Sequence, residues 1–169
     1  MMDLRRTVFV VLGMVGALVM QTTLFGRVRV GGIAPDVVIL AVVLFSLRAR
    51  AEMAMLAAFS IGFLFDAVAS TSALGLRAMA YTTVAFVAVK TRERADLGPV
   101  AVAVWAGLMT LVGLVAILVV GTLFGQVTMG FGQASRRLFL VPLFNTGIAL
   151  LLSPFTSRLL DGRRGVIGL

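Results

Sequence analysis

The sequence predicts an all-α integral membrane protein: a compact bundle of about six transmembrane helices in a single domain over residues 1–169. Three observations carry that expectation. Sixty per cent of the residues are apolar, mean hydropathy is +1.10, and only 13% are charged. A soluble domain of this length could bury a core, but it could not clothe its surface with so few charges. The charges also fall in short clusters between apolar runs, which is the pattern of helical membrane proteins.

Six apolar segments follow in order: Thr7 to Phe25, Ile33 to Leu47, Met53 to Val68, Leu74 to Val89, Leu97 to Phe124, and Leu138 to Leu160. A hydrocarbon core of about 30 Å takes about 20 helical residues, so the second, third and fourth are short. Bilayer thinning, burial between longer neighbours and re-entrant hairpins would each accommodate short segments. Spanning helices in a compact bundle are the reading adopted. The first segment carries Arg5 and Arg6 ahead of its apolar stretch, as a signal peptide does. No small-x-small cleavage site follows and five further segments come after, so it reads as an uncleaved helix.

The second segment opens on Pro35 and Asp36. Proline suits a first helical turn, where its missing N–H is not needed, and an aspartate there complements the positive end of the helix dipole. Ala54, Ala58 and Gly62, at four-residue steps, place small residues on the face of the third segment that ends in Asp66. The fourth opens on Gly75, Arg77 and Tyr81, with Tyr81 read as an interfacial anchor. The fifth is longer than a bilayer needs and is expected to tilt. Pro154 is expected to kink the last helix or end it near Ser153, and Asn145 is placed two turns in from the outer end of that helix.

Net charge is +8 and the pI is near 11.7. In a soluble chain this would suggest nucleic acid, but these arginines flank apolar segments, so the expected partner is the lipid bilayer. Arg5, Arg6, Arg48, Arg50, Lys90, Arg92, Arg94, Arg158, Arg163 and Arg164 fall on one side of six spans, and Arg27, Arg29, Arg77, Arg136 and Arg137 on the other. Ten against five places both termini in the cytoplasm.

With neither cysteine nor histidine, disulfides, thiol chemistry and the usual zinc or haem ligand sets are excluded. No cofactor, metal or catalytic residue is expected. A Ser-His-Asp triad is impossible and no phosphate-binding Gly-x-x-x-x-Gly-Lys loop is present. One enzymatic idea fits the composition: Asp36 and Asp66 as an intramembrane carboxylate dyad, where proximity would raise one pKa. Against it, Asp66 lies in Gly62-Phe63-Leu64-Phe65-Asp66, not in the Gly-x-Gly-Asp of presenilin-like proteases, and the Asn-rich motifs of lipoprotein signal peptidases are not seen. The chain is therefore read as a non-enzyme.

Orientation places Gln21, Asp36, Asp66, Arg77 and Tyr81 near one outer zone, with Asn145 approaching from the same side. Asp66 draws the most weight, because a carboxylate at a helix carboxyl end opposes that helix's dipole and is costly in hydrocarbon. The short connection after it lets Arg77 return as a counter-ion. Gln21 and Asn145 read as interhelical hydrogen-bonding residues. Two roles are open for the cluster: holding the bundle together, or, through Asp66 and Arg77, docking a partner helix, for which helices one and three offer small or apolar contacts.

Six helices with short loops are similar to the substrate-binding component of energy-coupling-factor transporters, although one Trp and one Tyr give a vitamin little to stack against. A closer match rests on motif order: Gln21-Thr22-Thr23-Leu24-Phe25, then Ile33-Ala34-Pro35-Asp36, then Gly62-Phe63-Leu64-Phe65-Asp66, then Leu74 to Tyr81. In this order the chain resembles the rod shape-determining protein MreD family. The resemblance covers the first half of the chain closely, and the second half in length and hydropathy. It implies a component of the bacterial cytoplasmic membrane in the peptidoglycan elongation machinery. It further implies binding to an MreC-like bitopic membrane protein and, through it, to a RodA-type glycosyltransferase and a class B penicillin-binding protein. It also implies the fold of the vitamin-binding components. It names no catalytic residue, and the alternative function is a vitamin or small-molecule transporter subunit.

Overall fold

The computed structural model describes residues 4–23, 33–47, 49–69, 74–92, 98–126 and 130–152, with side chains of the first helix described from Leu12 onward. Within them lie six helices and no strand: α1 (Leu4–Thr23), α2 (Val37–Ser46), α3 (Ala51–Ala69), α4 (Leu76–Thr91), α5 (Pro99–Leu123) and α6 (Phe131–Leu151). The side chains of Arg5 and Arg6, all of Arg27, Arg29, Arg48 and Arg94, the basic tail, and the kink expected at Pro154 lie outside the described residues. Among the described residues, two helices, α3 and α5, are long and apolar enough to cross a membrane.

The shortest helix is the centre of the bundle. At ten residues α2 is about 15 Å long, half a hydrocarbon core, and it packs against all five other helices. Val38, Ile39, Leu40, Val42, Val43 and Ser46 are buried along it. Burial between longer neighbours is thus how the fold accommodates this segment. Its almost wholly apolar composition follows, since most of its surface is buried and the remaining face, Val37, Ala41, Leu44 and Phe45, is partly buried. The helix begins later than the apolar run does. Asp36 is the N-cap, its carboxylate accepting the Ile39 N–H at 3.0 Å, so Pro35 precedes the helix and does not occupy its first turn.

Around α2 the longer helices pair as hairpins. The α3–α4 pair is closest where Gly62 meets the start of α4: a Cβ at Gly62 would lie 2.7 Å from Ala78 N, Ala78 Cα and the Arg77 carbonyl. In the α5–α6 pair, a Cβ at Gly107 would collide with the Thr146 hydroxyl, which donates to the Pro142 carbonyl at 2.8 Å. Gly113 admits Val84 and Ile39, bringing α4 and α2 together on α5. At the opposite end from Asp66, the Trp105 indole N–H donates to Thr91 Oγ1 at 3.1 Å, and the Arg92 guanidinium donates to the Ala49 carbonyl at 3.0 Å.

The sixth helix departs from expectation at its start. It begins at Phe131, seven residues before the apolar segment, so Arg136 and Arg137 are helical and not in an outer loop. Asn145 consequently lies about four turns in, near the middle of the bundle, instead of two. The Gly130-Phe131-Gly132 start and the polar Gln133, Ser135, Arg136 and Arg137 hide the helix from an apolar-run reading, while continuous backbone hydrogen bonding carries it through them. Pro142 stands inside this helix.

Candidate functional site: a polar junction at the head of the central helix

The polar residues singled out in the sequence converge on the start of α2 and the start of α4. Gln21, two residues before the end of α1, uses both ends of its amide there. Its Nε2 donates to the Pro35 carbonyl at 3.0 Å and its Oε1 accepts the Val37 N–H at 2.9 Å. Val37 N is one of the donors that a helix start leaves without an intrahelical partner, so Gln21 completes what the Asp36 cap begins. On the far side, Asn145 Nδ2 donates to the Asp36 carbonyl at 2.8 Å and to Thr110 Oγ1 at 3.0 Å. Thr110 in turn donates to the Ala106 carbonyl at 2.8 Å. Four helices are tied at this point, polar side chains of α1, α5 and α6 meeting one another or the backbone at the head of α2. Buried amide N–H groups without such bonds would each cost about 2 kcal/mol or more in an apolar interior, and both Asn145 N–H groups are paired here.

Asp66 organises the second half of the junction. Its Oδ2 accepts the N–H groups of Gly75 (3.0 Å) and Arg77 (2.9 Å), and its Oδ1 meets Arg77 Nη1 at 3.3 Å. The carboxylate at the end of α3 therefore caps the beginning of α4. That resolves the electrostatic difficulty of its position: it opposes the dipole of its own helix but sits at the positive end of the next. Gly75 makes the geometry possible, holding φ +96°, a left-handed conformation that side-chain-bearing residues rarely adopt. The Asp66 side chain is fully enclosed, whereas that of Arg77 is 23% exposed. The guanidinium also stacks 4.2 Å above the Phe65 ring centroid.

Tyr81 lies one turn beyond Arg77 and is not an interfacial anchor: it is 0% exposed, among the largest fully buried side chains of the fold. Its phenol lies beside Asp36, within the electrostatic reach of Arg77 and Asp66. Asp36 in turn feels Arg77 and Arg137. Arg77 stands beside Asp66, and the two carboxylates cap different helices, Asp36 the start of α2 and Asp66 the start of α4. This is the arrangement of two structural caps.

The small-residue stripe has an internal use. Ala54, Ala58 and Gly62 are all buried, with Gly62 on the backbone of α4, so α3 does not present them to a partner helix. Its outward face carries Leu56, Phe59, Phe63, Leu64 and Val68. Gly13 on α1, by contrast, has no neighbour within 4 Å of the place its Cβ would take. Thr110 and Phe65 were not anticipated as members of the junction. A hydroxyl in the middle of the apolar run of α5 was the available signal for Thr110, and Phe65 had none.

The chain matches the family model described as rod shape-determining protein MreD over residues 3–162, a range that takes in all six helices. No curated protein and no solved structure matches it.

Proposed function

From the premise that the chain belongs to the rod shape-determining protein MreD family, a family of membrane proteins, we propose that it is a non-enzymatic scaffold of the cell-wall elongation machinery. It has a role in rod shape determination. In the proposed reading all six helices lie in the bacterial cytoplasmic membrane with both termini in the cytoplasm. The chain then holds an MreC-like bitopic protein and, through it, a RodA-type glycosyltransferase and a class B penicillin-binding protein.

The observation that carries this reading is the family match over nearly the whole chain. The geometry is compatible with it. The polar groups are drawn inward to tie helices together, while apolar side chains such as Leu12, Phe59, Phe139 and Leu143 face outward, as a bundle surrounded by lipid and partner helices requires. Asp66, being enclosed, is assigned to stiffening the bundle, and Arg77 is the member of the pair with an exposed edge. The family match favours the scaffold over a vitamin-binding transporter subunit.

Depletion of the chain from its rod-shaped host tests the role. Cells are expected to round up and to recover rod form when the wild-type chain is restored. Unchanged shape on depletion, with loss of vitamin uptake instead, would refute the proposal.

A further inference from the structure

The helices around α2 form an open ring. α1 packs on α3, α3 on α4, α4 on α5 and α5 on α6, and all five touch α2, but no comparable packing joins α6 back to α1 among the described residues. A seam is left between those two. Its floor shows on α2, where Val37, Ala41, Leu44 and Phe45 are the partly buried residues and their spacing puts them on one face. The side of α6 that borders the seam follows from the helical turn. Successive residues stand about 100° apart, Thr146 meets Gly107 of α5, and Asn145 reaches the head of α2. Phe144 is therefore turned away from α5, toward the seam, and it too is partly buried. Arg137, about two turns earlier, shares that side. It is exposed, and it lies within electrostatic reach of Asp36, the N-cap of α2. A cation thus stands at the mouth of an apolar slot.

We propose that this slot holds one acyl chain of an anionic phospholipid, with the lipid phosphate at Arg137. The floor residues are partly buried and none is exposed, so the slot is narrower than the roughly 10 Å that a further helix takes up. An acyl chain fits such a gap. An anionic headgroup complements the guanidinium, which binds phosphate through paired N–H donors. The lipid closes the ring that α1 and α6 leave open, and lies against the helix on which the whole bundle packs. The proposal needs the bundle to lie in the membrane, and it goes beyond the scaffold role.

Photo-leucine incorporated in place of leucine, in the full chain within host membranes, tests the slot without altering the fold. After irradiation Leu44 is expected to carry phospholipid adducts. Leu56 and Leu143, exposed on the outside of the bundle, are the internal reference, since they meet bulk lipid wherever the bundle is membrane-embedded. Lipid on those two and none on Leu44 would overturn the proposal while leaving the membrane reading intact. A protein adduct at Leu44, from a second copy or another chain, would place a helix in the seam and overturn it as well. Native mass spectrometry of the chain released from nanodiscs of equal phosphatidylglycerol and phosphatidylethanolamine reads the headgroup. One phosphatidylglycerol is expected to stay bound, favoured about fivefold by a nearby arginine, and Arg137→Gln is expected to remove that preference. Lys90→Gln, which removes an exposed charge at the far end of α4, should leave it unchanged. Equal retention of both lipids by the wild type, or an undiminished preference in Arg137→Gln, would overturn the proposal.

Discussion

Replacing Asp66 with alanine is expected to destabilise the folded chain by about 3 kcal/mol, since a buried donor left unpaired costs about 1–3 kcal/mol and Asp66 serves three donors. The N–H groups of Gly75 and Arg77 lose their acceptor and the Arg77 guanidinium loses its counter-ion. Arg77→Ala is expected to cost less, because the carboxylate keeps both backbone donors and the helix dipole, and because a partly exposed arginine contributes less through its charge. Exchanging the two residues should not restore stability. An arginine at position 66 can make an ion pair with an aspartate at 77, but it cannot accept hydrogen bonds from the start of α4. Reversible unfolding in detergent or bilayer measures all three variants. Equal stability of Asp66→Ala and wild type, or full rescue by the exchange, would contradict the capping role.

A second destabilising effect is expected at Gly62. Within a helix, alanine is favoured over glycine by about 1 kcal/mol, so an open site would gain stability on substitution. Here the added Cβ would meet three backbone atoms of Arg77 and Ala78 at 2.7 Å, and backbone cannot rotate aside as a side chain can. The helices must separate, and overpacking of this kind costs about 1–3 kcal/mol. Gly62→Ala should therefore be net destabilising, and Gly62→Leu should prevent the α3–α4 hairpin from closing, seen as loss of folded, monodisperse protein. Gly13→Ala is the control: with nothing within 4 Å, it should leave stability unchanged or slightly raised. If Gly62→Ala matched that control, the close approach of α3 and α4 would be refuted.

The two substitutions also mark how far the sequence could be read. Helical class, the number of segments, and the convergence of Gln21, Asp36, Asp66 and Arg77 were legible, because apolar runs and charge clusters carry that information directly. The ion pair was legible from the short connection after Asp66. Its main purpose was not: the bonds from Gly75 and Arg77 N–H depend on backbone donors that every sequence has. Tyr81 was misplaced for a similar reason, since a tyrosine near a helix start is as consistent with an interface as with a buried junction, and only packing distinguishes them. The boundaries of α2 and α6 failed in opposite directions. In α2 an apolar approach, Ile33 to Pro35, was counted as helix, and in α6 a polar first turn was counted as loop. Hydropathy reports environment, whereas helix ends are set by caps.

Capture from native membranes tests the account most directly. The tagged chain, extracted gently from its rod-shaped host, is predicted to carry with it an MreC-like bitopic protein, together with a RodA-type glycosyltransferase and a class B penicillin-binding protein. Recovery of the chain with the ATPase subunits of a vitamin transporter, and without any of those three, would contradict it.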